Sequence, residues 1–170
     1  MTNHKRPSDH LGHSHHHKSV PNTASHTVCT CLNTLLANEY SLFTKTLNYH
    51  WNITGPRFHS LHRFLEGHYR ELLEIMDGVA ERVRVLDERP IGTIKQMYNE
   101  TEVKDSVGET LLAEDMLKNL LRDHELIKGQ IKEVVSDDDL FKQDPGSQDF
   151  MIGILQKHEM MAWMLKSHIV

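Results

Sequence analysis

At 170 residues, 38% hydrophobic and 25% charged, the chain is long enough for one domain with a real core and shows no sign of a second. A net charge of -5 with the histidines neutral argues against strong constitutive DNA binding, for which a basic patch should dominate. No stretch approaches the roughly 18 apolar residues of a membrane span, and the first residues lack the apolar run of a signal peptide, so a soluble, cytoplasmic protein is expected.

Residues 1–27 hold seven of the fourteen histidines, His4, His10, His13, His15, His16, His17 and His26, among Pro, Ser, Asn and Thr with almost no large apolar side chains. That composition predicts a disordered arm, with the folded domain over residues 28–170. Clustered neutral imidazoles suit zinc, copper, nickel or cobalt, which makes His10, His13, His15, His16 and His17 candidate tail ligands. The fixed charges of the arm are Lys5, Arg6, Lys18 and Asp9. Protonation of its imidazoles below about pH 6.5 would add to this net positive charge, so the arm is expected to touch DNA at low pH.

A first long helix is predicted over 28–51, where Val28, Leu32, Leu35, Leu36, Phe43, Leu47 and His50 recur at helical spacing. Cys29 and Cys31 point to nearly opposite sides of it and are read as structural. Trp51 is expected to pack in the core, with absorption of stray oxidising equivalents as the alternative. Asn52 to Pro56 breaks the pattern, and Gly55 and Pro56 form the turn before a second helix over 58–86.

That second helix carries two i, i+4 pairs, His62 with Glu66 and Asp77 with Glu81, on one stripe. The pairs lie about 16 Å apart along the axis, whereas metal bonds to nitrogen or oxygen are about 2 Å, so one chain cannot close a site with all four. Both 62 with 81 and 66 with 77 are centred between Glu71 and Leu72. A twofold axis there would set His62 and Glu66 against Asp77 and Glu81 of the partner subunit. The plain alternative is a solvated helix face. His59, at i, i+3 from His62, is a further nitrogen ligand that would favour zinc over iron. His68 is about 240° around the helix from His62 and is expected in the core or against a neighbour.

A third helix over 107–135 places Leu112, Met116, Leu120, Ile127, Ile131 and Val134 on one face. The acidic turn Asp137 to Asp139, with Asp144, Pro145 and Gly146, leads into a fourth over 147–168, with Leu155, Ala162, Leu165 and Ile169 inward. Met160, Met161 and Met164 read as flexible core filling, and no partner suggests itself for His124 or His158. Four amphipathic helices make an all-α bundle.

The segment NYHWNITGPRFHSLHRFLEGHYRELLEIMDGVAERV, residues 48–83, resembles the Dps family of miniferritins. The resemblance is strong over about residues 35–92 and weaker beyond, where helix order and the ending WMLKSHIV still agree. It implies a ferritin-like four-helix bundle, and it makes TIKQMYNE the short extra helix between the second and third main helices. It further implies an intersubunit ferroxidase centre built from His50, His62, Glu66, Asp77 and Glu81, assembly into a hollow dodecamer, oxidation of Fe(II), typically by hydrogen peroxide, and storage of the mineral. Glu66 departs from the family's usual Asp and reaches one methylene further. Asp144 and Asp149 match the start of the fourth helix, where the family lines a threefold pore with acidic side chains; negative charge there also simply suits a helix N-terminus. The alternative function is a DNA-compacting or metal-buffering shell, nucleoid-associated, with slow or absent iron oxidation.

Overall fold

The structure, a computed structural model, describes residues 23–105 and 111–169, with side chains from residue 27 onward. Six helices follow in order among the described residues: α1 Thr23–Asn52, α2 Phe58–Val85, α3 Ile94–Glu100, α4 Ala113–Val135, α5 Asp138–Phe141 and α6 Pro145–His168. No strand occurs among the described residues. α1 thus begins within the stretch expected to be arm. The tail histidines at 4, 10, 13, 15, 16 and 17 lie outside the described residues, as do residues 106–110, where the third main helix was expected to begin.

α1 packs chiefly on α2, and α4 on α6. The short turns within each pair make them antiparallel neighbours, while the long link from α2 to α4 carries α3. α2 shows why these segments are helical: Leu61, Leu65, His68, Leu72, Ile75, Val79 and Val83 recur every three or four residues and are all buried. The same stripe on α6 runs through Ser147, Met151, Ile154, His158, Met161, Ala162 and Leu165. Leu155 and Ile169 sit half-buried at its edge. On α4, Met116, Leu120, Ile127 and Ile131 are buried as expected, with Asp123 and His124 filling the gap between Leu120 and Ile127. Leu112 is 75% exposed, because its backbone is extended at the N-cap and it never joins the helical stripe.

The helix ends follow local chemistry. Thr93 and Gln96 form a reciprocal capping box that starts α3 immediately after Gly92. α2 stops where Asp87 enters the left-handed region at φ 62°. The Asp87 amide donates to the Arg84 carbonyl and the Glu88 amide to the Val83 carbonyl, at 3.0 and 3.2 Å, the bonding pattern of a Schellman cap. Gly55, at φ 103°, turns the chain from α1 into α2, a conformation that side chains disfavour. This turn delivers His50 to His62.

Candidate metal centre

His50 lies in the last turn of α1 and His62 in the second turn of α2. His50 Nδ1 donates to the His62 carbonyl at 2.8 Å, and His62 Nδ1 donates to the His50 carbonyl at 2.9 Å. A carbonyl cannot donate, so each ring must carry its proton on Nδ1 and leave the Nε2 lone pair open. The His50 carbonyl belongs to the set that a helix C-terminus leaves without an intrahelical partner, and His62 supplies one. The two rings stack with centroids 3.7 Å apart and 23° between planes. Tyr69 meets His50 edge-on at 5.2 Å, and Phe58 lies 5.1 Å from His62. Two imidazoles thus present metal-binding nitrogens in a fixed tautomer and from fixed positions, an arrangement that needs little reorganisation to take an ion.

Glu66, one turn after His62, forms an i, i+4 ion pair with the largely exposed Arg70. Such a pair contributes little, so a bound cation can displace the guanidinium. Sequence reasoning missed Arg70, although the Glu–Arg spacing is legible. Asp77 and Glu81 are exposed further along α2. Among the described residues no three His, Cys, Asp or Glu side chains converge within one chain to hold a metal. His59 is exposed one turn before His62 and does not complete such a group.

Trp51, beside His50, is 66% exposed, which corrects the expectation of core packing. It borders a cleft of about 850 Å³ together with Ile94, Met97 and Tyr98. Ile94 and Tyr98 are 76% and 77% exposed, so an apolar surface lies beside the end of α1 that carries His50.

Asp144 proves to be the N-cap of α6, its carboxylate accepting from the Ser147 amide at 3.0 Å and from Arg82 Nη2 at 2.7 Å. Arg82 largely neutralises it, whereas the exposed Asp149 forms no ion pair among the described residues. His68 is buried as expected, and burial, reinforced by His168, pushes its pKa down to about 4 against a weaker opposing pull from Glu71.

Residues 29–170 match the family model for the ferritin-like domain. This defines the class: a ferritin-like helical bundle. The chain is 40% identical over 142 residues to an uncharacterised low temperature-induced protein of Nostoc sp., spanning 84% of this chain and 79% of that one. It is 32% identical to DNA protection during starvation protein 2 of Bacillus anthracis, spanning 84% of this chain and 96% of that one. A crystal structure of a Dps protein from Vibrio cholerae O1, described as a member of a broad superfamily of ferritin-like diiron-carboxylate proteins, superposes with a TM-score of 0.80 at 26% identity, covering 87% of this chain and 92% of that one. The chain belongs to the Dps family of miniferritins. None of these comparisons supports zinc as the native metal.

Proposed function

We propose that this protein stores iron and protects its cell by oxidising Fe(II) at a centre shared between two subunits. His50, His62 and Glu66 come from one chain, and Asp77 and Glu81 of the partner subunit complete the site. The observation that carries this reading is the reciprocal lock between His50 and His62, which leaves two open Nε2 donors one helical turn from Glu66, while no three ligands converge among the described residues. Imidazole suits Fe(II), whereas carboxylates suit Fe(III), so the mixed set binds the substrate and stabilises the oxidised ion. Two Fe(II) ions supply the two electrons that, with two protons, reduce one hydrogen peroxide to two waters. Iron is thereby withheld from one-electron peroxide chemistry.

The diiron-carboxylate superfamily of the Vibrio relative supports the metal, and the exposed apolar surface of Trp51, Ile94 and Tyr98 beside the half-site supports a subunit contact there. In this reading the contact is the twofold interface of a hollow dodecamer that encloses the mineral in the cytoplasm. Asp149 steers cations toward a threefold pore, with Asp144 contributing chiefly as a helix cap. The name of the Bacillus relative favours a second reading, a DNA-compacting shell whose N-terminal arm binds at low pH. A ferrous oxidation assay with peroxide and with oxygen separates the two. Rapid peroxide-dependent oxidation is expected. Oxidation no faster than in protein-free buffer would leave the DNA-compacting or metal-buffering shell.

A further inference from the structure

The interior of the bundle contains a second group of titratable side chains that the interface site does not use. Each of the four long helices supplies one: Glu39 from α1, His68 from α2, His124 from α4 and His158 from α6. Glu39, His124 and His158 are 0% exposed and His68 is 3% exposed. Glu39 Oε1 lies 2.7 Å from His158 Nε2, and His158 Nδ1 lies 2.8 Å from His124 Nδ1. His124 in turn meets the edge of His68, with ring centroids 6.0 Å apart at 89°. His68 lines the groove of about 970 Å³ between α2 and α6. Glu39 Oε2, His124 Nε2 and both ring nitrogens of His68 are buried without a hydrogen-bond partner.

A row of buried imidazoles invites comparison with a metal site, but its geometry is different. The donors lie in series, each nitrogen of His158 being used by a different neighbour, and no three converge on one point among the described residues. A chelate needs convergence, whereas a proton wire needs a series. The contact between two Nδ1 atoms also requires one of them to carry a proton and the other to accept it. Two orders satisfy that requirement. In the first, His124 Nδ1–H donates to His158, His158 Nε2–H donates to Glu39, and His124 Nε2 is bare. In the second, His158 Nδ1–H donates to His124, His124 Nε2 carries a proton, and one further proton is shared between Glu39 Oε1 and His158 Nε2.

The two orders differ by one proton. We propose that Glu39, His158 and His124 form a proton relay across the bundle core, reached from the α2–α6 groove past His68. A proton arriving at His124 Nε2 displaces the Nδ1 proton of His124 onto His158 Nδ1, and the Nε2 proton of His158 moves toward Glu39. Departure reverses each step, and no electrons are exchanged. The relay lets the bundle adjust the charge on Glu39 without exposing it to water, where a fully buried and unbalanced carboxylate would be costly. Burial chiefly disfavours charge on His124, and His158, His68 on α2 and Lys128 on α4 add to this; burial and then His168 disfavour charge on His68, against a weaker opposing pull from Glu71.

The test is hydrogen exchange at the ring nitrogens of His158, followed by solid-state NMR of the 15N-histidine-labelled full-length assembly and assigned by difference from His158→Gln. A buried N–H outside a relay exchanges only through local opening of the structure. Within the relay, His124→Asn should slow exchange at His158 at least about tenfold, because exchange then requires such opening. His68→Ala, which widens the path from the groove, should accelerate it. His124→Gln serves as a second blocked variant should the first fail to assemble. Exchange at His158 that is unchanged in assembled His124→Asn or His124→Gln would overturn the relay, as would the absence of a 15N–15N correlation between the Nδ1 atoms of His124 and His158 in the parent protein.

Discussion

The proposed half-site where α1 meets α2 and the closed row in the core are built from the same residue types, and both draw on α1 and α2, yet they suit opposite chemistry. His62 and His68 both belong to α2. His62 directs its proton to a backbone carbonyl, which leaves Nε2 open beside Glu66, while His68 turns inward among Phe64 and His124. In the core, His158 spends both ring nitrogens on neighbours and keeps none for an ion. Ligand type alone therefore does not define a metal site. Whether the second nitrogen is open, and whether the remaining donors converge, decides the outcome.

The largest expected effect comes from breaking the surface region. Asp77→Ala with Glu81→Ala should reduce iron oxidation by about 100-fold or more, since even partners outside the ligand shell commonly cost 10–100-fold, while unfolding midpoints should scarcely move because both side chains are exposed. A stopped-flow oxidation assay beside a thermal melt reads both quantities.

The core should show the reverse pattern. Lys45 and Asp123 form an ion pair with both side chains buried, and Lys45 also donates to the Lys104 carbonyl. Asp123→Ala strands the ammonium and should cost about 3–5 kcal/mol of stability in denaturant titrations, with oxidation in the surviving assembly little changed.

A subtler difference concerns pH. Burial lowers the His68 pKa from 6.5 to about 4, so His68 stays neutral in the folded chain while an unfolded chain takes up the proton. The stabilisation from this group is fully present above pH 6.5 and is lost as pH falls toward about 4. His68→Leu should remove a slope of about 1.4 kcal/mol per pH unit within that window, seen as a flatter plot of unfolding free energy against pH.

The smallest effect sharpens the end of the helix that serves both regions. Asp87→Gly relieves a left-handed conformation at the α2 cap and should stabilise by about 0.5–1 kcal/mol. Oxidation should not change, because the cap lies beyond the ligand stripe.

Much of this was legible in the sequence. The apolar period located all four long helices, and the resemblance anticipated α3. The i, i+4 pairs on α2 are the basis of the proposed shared ligand set, and their separation along the helix was readable from spacing alone. The partner choices of polar side chains were harder to read. Helical spacing placed His124 and His158 without revealing that they bond to each other, because that contact joins α4 to α6 across 34 positions. Glu39 escaped notice for the same reason, its partner lying 119 positions away. For Asp144 the sequence allowed both a pore charge and a helix N-terminus; the N-cap role holds, while its ion pair with Arg82, 62 positions away, left no local signal. Trp51 was expected in the core as a large apolar side chain beside His50, but it lies on the uncovered side of α1, off the stripe that ends in His50.

The central claim is that one metal centre is shared by two chains, and complementation tests it most directly. A His50→Ala, His62→Ala chain and an Asp77→Ala, Glu81→Ala chain are each expected to oxidise iron slowly when assembled alone. Unfolded together and co-assembled, they should recover activity, because mixed pairs regain one intact site from the undamaged half of each chain. Mixed pairs that form, verified by mass spectrometry of differently tagged chains, yet oxidise iron no faster than either parent would contradict the shared centre.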